Sequence, residues 1–172
     1  FTPGGEKSPR PLVVAVGRLV PVKRFDLLIE ALFQVKRRHP DLEAVIVGEG
    51  YRREELGTQI HQAAAESWIK LPGHVSAAEL VDLYRRAWVL ASASQREGWG
   101  MTVTEAAACG TPAVVTRIAG HLDAVVEGES GLLADGRDDL AGGLDQVLAD
   151  AARRERLSAG APGDARAGGQ GG

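Results

Sequence analysis

Along the chain, short runs of unbroken apolar residues alternate with longer stretches in which apolar residues return every third or fourth position. Leu12 to Val16 is such a run and stops at Gly17. Beyond it Phe25, Leu28, Ile29, Leu32 and Val35 recur at helical spacing, with Asp26 in the first turn, where a carboxylate complements the helix dipole. The same reading predicts strands at Leu42–Val47, Trp68–Leu71 (stopped by Pro72-Gly73), Trp88–Ala93, Ala113–Thr116 and Gly131–Leu133. It predicts helices at Arg53–Ala65, Ser76–Ala87, Thr102–Cys109 and Asp138–Ala152. Ser76 followed by Glu79 forms a capping box at one helix start, and Gly110-Thr111-Pro112 closes the helix before it.

Strands that are apolar on both faces belong to a parallel sheet covered on both sides, and strand–helix–strand units wind right-handed. The expected fold is therefore α/β, a Rossmann-like doubly wound parallel sheet with helices on both faces. Ligands of such sheets bind at the carboxyl ends of the strands. This directs attention to the loops after Val16, Val47, Leu71, Ala93 and Thr116. Residues 1–10, rich in Gly and Pro, read as a linker, and residues 11–157 as one domain. Residues 158–172 hold almost no bulky apolar side chain and are expected to be a disordered tail.

Composition narrows the partners. The chain has 172 residues, 44% hydrophobic and 25% charged, with net charge −3, which gives no electrostatic footprint for nucleic acid. An anion site must then be a local cluster. Cys109 is the only cysteine, so an internal disulfide is impossible, and a reducing, cytoplasmic setting is expected. The apolar runs are far shorter than a membrane span, and no signal peptide is expected. Phe1 is not a natural start, so an upstream segment is expected.

Two segments carry candidate chemistry. In Glu97-Gly98-Trp99-Gly100-Met101-Thr102-Val103-Thr104-Glu105 one carboxylate sits in a strand-to-helix loop and the other inside the helix. The glycines allow close backbone approach, and the free N–H groups of the helix start suit an anion. The plain alternative is a turn with a solvated Glu97 and a helix-stabilising Glu105. In Gly17-Arg18-Leu19-Val20-Pro21-Val22-Lys23-Arg24, a strand end delivers Arg18 and Lys23 to the same edge of the sheet. A guanidinium fork and an ammonium together suit a diphosphate; a solvated basic loop is the plain alternative. Gly48-Glu49-Gly50 begins a dinucleotide fingerprint but has Arg53 at the third glycine position, so a nicotinamide site is discounted. His39, His61, His74 and His121 lack metal-ligand spacing, and no metal site is expected. His39 reads as a helix-end residue, His61 as solvated, and His121 as part of a helix start or the cleft lining. Trp68 and Trp88 read as core, Cys109 as small packing, and Trp99 equally as pocket wall or packing.

Taken together, VGRLVPVKRFDLLIEAL, VIVGEG, LPGHV, EGWGMTVTEAAACGTPAVV and GESGLLAD resemble, in order, the retaining glycosyltransferases of the GT-B fold, family four. The resemblance covers residues 12 to 150. It implies one half of a GT-B fold: the C-terminal domain that binds a nucleoside diphosphate sugar of UDP or GDP type. It further implies that Arg18 and Lys23, next to Gly17, grip the donor diphosphate, and that Glu97 lies beside the donor sugar. Glu105 would hold ribose hydroxyls, the backbones of Gly98, Gly100, Met101 and Thr102 would meet sugar or phosphate, and His74 and Val75 would meet the base. Phe1-Thr2-Pro3 fits a position just past the interdomain hinge. Trp99, Thr102, Ala119-Gly120-His121 and Asp123 depart from the family's usual residues, which leaves the sugar open.

The expected parent activity is metal-independent transfer of a hexose to an acceptor glycan, lipid or small molecule held by an absent N-terminal domain, with peripheral membrane contact through that half. No cofactor is implied, and the isolated chain is expected to be inactive in transfer. The alternatives are a nucleotide-binding module without catalysis and a sugar-nucleotide epimerase of the same architecture.

Overall fold

The computed structural model describes residues 1–160. Six parallel strands, β1 (Leu12–Val16), β2 (Glu43–Val47), β3 (Ile69–Gly73), β4 (Val89–Ser92), β5 (Ala113–Thr116) and β6 (Gly131–Ala134), lie in the order β3-β2-β1-β4-β5-β6. The chain winds outward from β1 through β2 to β3, then crosses back to β4 on the other side of β1 and continues outward. The order reverses between β1 and β4, and loops leaving those two strands diverge to open a crevice at their carboxyl ends.

The helices are α1 (Phe25–Arg38), α2 (Arg53–Gln62), α3 (Ala77–Arg86), α4 (Met101–Ala108), α5 (Ala119–Leu122), α6 (Arg137–Ala149) and α7 (Ala151–Ala159). Alternation along β1 separates two cores. Val13 and Ala15 pack with Leu28, Ile29 and Leu32 of α1, Leu56 and Ile60 of α2, and Leu140 and Leu144 of α6. Leu12 and Val14 pack on the opposite face with Tyr84 of α3 and Val103 and Ala106 of α4. The doubly wound fold read from the apolar runs is the one observed. Trp68 and Trp88 pack partly buried against the first core, and Cys109 is buried in the second. The α3 capping box is present in full, with Ser76 Oγ accepting from the Glu79 amide and the Glu79 carboxylate accepting from the Ser76 amide.

Several boundaries differ for physical reasons. Pro72 and Gly73 belong to β3 instead of stopping it. This strand pairs only with β2, so a residue without an N–H is tolerated there, and Gly73 at φ 81° turns the chain away. The predicted helix through Ala152 is two helices. Asp150 ends α6 and caps α7, its side chain accepting from the Arg153 amide at 3.0 Å. Helix α2 ends at Gln62, followed by Ala64 at φ 52°. The 3-10 turn at Pro21–Lys23 is too short to show a period, and α5, where His121 reads as part of a helix start, is a single turn.

The segment read as a linker has no regular element, yet it is pinned. Trp88 Nε1 donates to the Ser8 carbonyl at 2.7 Å, Lys7 Nζ to the Ala87 carbonyl at 2.9 Å and Thr111 Oγ1 at 2.8 Å, and Arg85 Nε to the Thr2 carbonyl at 2.7 Å. At the other end, α7 runs through Ser158 and Ala159, whose assignment to a tail is corrected. The rest of the predicted tail, residues 161–172, lies outside the described residues.

Candidate functional site at the crevice between β1 and β4

The loop after β1 is shaped from beneath by the loop after β2. A Cβ at Gly48 would lie 1.8 Å from the Gly17 carbonyl oxygen, and one at Gly50 2.4 Å from the Leu19 carbonyl oxygen. The Leu19 amide donates to the Glu49 carbonyl at 2.9 Å. The Gly-Glu-Gly run therefore serves close backbone packing in place of the dinucleotide site already discounted. Leu19 is buried and anchors the loop, which leaves Arg18 exposed, with no ion pair among the described residues. The 3-10 turn then brings Lys23 back over the crevice, its aliphatic stem lying beside Gly17.

Glu97 meets Lys23 there. Lys23 Nζ donates to Glu97 Oε1 at 2.6 Å, with both side chains largely withdrawn from solvent at 21% and 17% exposure. Ser94 Oγ donates to the same oxygen at 2.7 Å, and Thr116 Oγ1 at the end of β5 donates to the Ser94 carbonyl at 2.6 Å. The Gln95 amide bonds to the Val22 carbonyl at 2.9 Å, tying the two loops together. Gly120 of α5 supports Glu97 directly, since a Cβ there would fall 2.3 Å from the Glu97 carbonyl oxygen.

His121, next to Gly120, is buried. Its Nδ1 donates to the Thr116 carbonyl at 2.8 Å, which leaves Nε2 unprotonated in the neutral ring. Burial lowers its pKa, opposed by the Thr116 carbonyl and by Glu97, while Lys23 lowers it further.

Gly100 precedes α4 as its N-cap without a side-chain cap, and Met101 and Thr102 open the helix. Helix geometry leaves the Thr102 and Val103 amides without intrahelical acceptors, aligned with the positive end of the dipole. Gly98 and Trp99 are exposed in the loop between, with Trp99 56% and Met101 62% exposed, so Trp99 is not core. Glu105 lies one turn into α4, half-buried, and accepts from the Tyr84 hydroxyl at 3.0 Å.

Gly17, Arg18, Lys23, Glu97, Gly98, Gly100, Met101 and Thr102 are thus gathered at one crevice. Glu105 sits behind them on α4, and His74 and Val75 follow β3, two strands away on the same edge. Sequence reading missed Ser94 and Tyr84, and it named Gly120 and the loop after Thr116 without the contacts they make to the Glu97 loop. Ser94, in the strand-to-helix loop three positions before Glu97, was the one local signal available. Of the other histidines, His39 ends α1 and pairs with Asp145 of α6 at 2.7 Å, and His61 is exposed beside Glu66. Among the described residues no group of three or more His, Cys, Asp and Glu is arranged to hold a metal.

The arrangement combines two cations, a carboxylate held by one of them, and a helix N-terminus, all on one crevice of a doubly wound sheet. Residues 2–164 match the family model described as glycosyl transferases group 1. The D-inositol 3-phosphate glycosyltransferase of Stackebrandtia nassauensis is 34% identical over 185 residues, covering 94% of this chain and 41% of that protein. The chain accordingly spans about two-fifths of that relative's length. The C-terminal domain of the glycosyl transferase group 1 family protein LpcC from Francisella tularensis has the same fold. Its TM-score is 0.80 at 24% identity, over 92% of this chain and 90% of that one. S. aureus TarM, crystallised with fondaparinux, alpha-GlcNAc-glycerol and UDP, superposes with a TM-score of 0.87 at 24% identity, over 94% of this chain and 33% of that one. With the family model matching nearly the whole chain and the sheet shared with these GT-B structures, this chain belongs to the glycosyl transferases group 1, in the GT-B superfamily.

Proposed function

We propose that this domain binds the nucleoside diphosphate sugar of a retaining glycosyltransferase of family four, which transfers a hexose to an acceptor held by a second domain. The observation that carries the reading is the Lys23–Glu97 pair at 2.6 Å, beside the exposed Arg18 and the open N-terminus of α4. A diphosphate of UDP or GDP type meets Arg18 as a planar fork, Lys23 as a point charge, and the amides that begin α4 as aligned donors. Lys23 carries three donors, so it bridges Glu97 and a phosphate oxygen at once. Glu97, backed by Ser94, then accepts from hydroxyls of the donor sugar. Glu105 takes ribose hydroxyls, and the backbone of His74 and Val75 meets the base.

In the proposed route the bond from the anomeric carbon to the β-phosphate oxygen breaks while the acceptor oxygen bonds that carbon on the same face. The departing phosphate oxygen takes the acceptor's proton, so configuration is retained. Arg18, Lys23 and the helix dipole stabilise the charge that grows on the leaving diphosphate, which is electrostatic catalysis by preorganised donors and needs no metal. The lone cysteine supports a reducing compartment, the cytoplasm, for this chemistry. The acceptor, and contact with a membrane surface, belong to the second domain. This chain by itself forfeits acceptor positioning, which supplies roughly 7–11 kcal/mol in well-oriented reactions, and is expected to bind donor without transferring it.

A thermal-shift screen of UDP- and GDP-sugars tests the reading. A ligand at 100 times its Kd stabilises by about 2.7 kcal/mol, a readily measured shift. A shift with one base series supports the proposal. No shift with any nucleotide sugar at millimolar concentration counts against it.

A further inference from the structure

We infer that Tyr84 is a positioning residue that fixes the carboxylate of Glu105 for a ribose diol, an inference resting on the reading of Glu105 as the ribose-binding carboxylate. Glu105 is held by a buried phenol: Tyr84 Oη donates to Oε2 at 3.0 Å, and Tyr84 is fully buried. The terminal torsion of a glutamate is broad and two-fold, so a half-buried carboxylate at a helix surface has no preferred plane of its own. A donor that cannot move supplies one. Oε2 is tied to the phenol, and Oε1 is left free to accept from vicinal hydroxyls.

The donor is itself locked. The Tyr84 ring packs in the core with Leu12, Val14 and Leu90, and Phe1 meets it edge-on with centroids 5.9 Å apart. Its carbonyl accepts from the Thr111 hydroxyl, which in turn accepts from Lys7 Nζ at 2.8 Å. The phenol stays a donor across the working pH range, because burial pushes its pKa up and the Glu105 charge pushes it further. Had the pair existed only to satisfy a buried hydroxyl, a neutral acceptor would have served without placing a charge between α3 and α4. An ionised carboxylate with one oxygen held and one open fits a diol ligand.

The test compares UDP with 2′,3′-dideoxy-UDP, and GDP with 2′,3′-dideoxy-GDP, by calorimetry. The 172-residue chain is titrated as wild type, Tyr84→Phe, Glu105→Gln and the double variant, and the base that binds more tightly is followed. Tyr84→Phe is expected to weaken the ribonucleotide roughly five- to tenfold, the scale of one charge-assisted hydrogen bond partly lost, and to leave the dideoxy form within about twofold. Combined with Glu105→Gln, it should add nothing further. Equal weakening of both forms, or an unchanged preference for the ribose form, would overturn the inference while Glu105→Gln alone still tests the ribose reading. A wild type that does not distinguish the two forms would overturn both.

Because the chain has only two tyrosines and Tyr51 is exposed in the turn before α2, 3-fluorotyrosine labelling gives a readout that needs no variant. The Tyr84 fluorine resonance should move with the ribonucleotide and stay in place with the dideoxy form. Equal movement with both contradicts the role given to Tyr84.

Discussion

Lys23 Nζ and Glu97 Oε1 are 2.6 Å apart, although 74 positions separate them in sequence, and the contact joins the loop after β1 to the loop after β4 across the crevice. On the proposed reading a bound phosphate shares that ammonium with Glu97, which sets two negative charges beside one cation. Glu97→Gln should therefore raise the affinity for a free nucleoside diphosphate severalfold, because a negative charge leaves the site. The same substitution should abolish transfer in the full-length protein, where the sugar needs its acceptor. Lys23→Ala should weaken diphosphate binding roughly tenfold or more. Calorimetry on the two variants checks both signs; a weaker diphosphate complex in Glu97→Gln would mean that the carboxylate does not oppose phosphate binding.

His121 gives a pH dependence of stability. Its folded pKa is lowered by burial from the ordinary 6.5, so the folded domain holds the ring neutral where the unfolded chain has begun to protonate it. Its contribution is fully present above about pH 6.5 and is lost as pH falls through the lower folded pKa. In His121→Asn the side-chain amide retains a donor for the Thr116 carbonyl but cannot titrate. The melting temperature of the wild type should drop more steeply than that of this variant as pH falls below about 6.5. Parallel curves would show that protonation occurs without strain on the fold.

Gly120 and Gly142 make a contrasting pair. An alanine Cβ at 120 would lie 2.3 Å from the Glu97 carbonyl oxygen and 2.7 Å from its Cβ, so the loop that carries the carboxylate must move. Gly120→Ala should cost about 1–3 kcal/mol of stability and weaken a nucleotide sugar more than the bare nucleotide. Gly142 is exposed in α6 with no atom near its missing Cβ, and Gly142→Ala should stabilise by about 0.5–1 kcal/mol. Chemical denaturation and ligand titration of the two proteins read these effects. A Gly120→Ala protein with normal selectivity for the sugar would remove Gly120 from the account of the site.

Much of this architecture is legible in the chain because its determinants are local or periodic. The apolar runs at Leu12–Val16 and Ala113–Thr116 name their strands to the residue, and the spacing from Phe25 names α1. The capping box at Ser76 is a local hydrogen-bonding pattern and reads directly. What stayed hidden depends on contacts between distant segments. Nothing around Gly120 announces that α5 will press against Glu97, and the roles of Gly48 and Gly50 follow from a backbone approach seen only when the two loops are stacked. Pro72 reads as a stop because the strand's place at the edge, and the shift of register between Lys70 and Gly73 that accommodates the proline, are set by the sheet. Nothing local marks Tyr84, whose hydroxyl acquires a partner only when α3 and α4 are side by side.

The central claim, that Arg18 and Lys23 hold the diphosphate of a sugar-nucleotide donor, is tested most directly by one calorimetric experiment. UDP and GDP are titrated, in the presence of a chelator, into the wild-type chain and into the Arg18→Ala, Lys23→Ala double variant, with melting curves recorded alongside. The account predicts that one nucleotide binds the wild type undiminished by the chelator and that the double variant loses roughly 100-fold or more in affinity with little change in melting temperature. Binding that disappears with the chelator, or a double variant that binds as the wild type does, would contradict it.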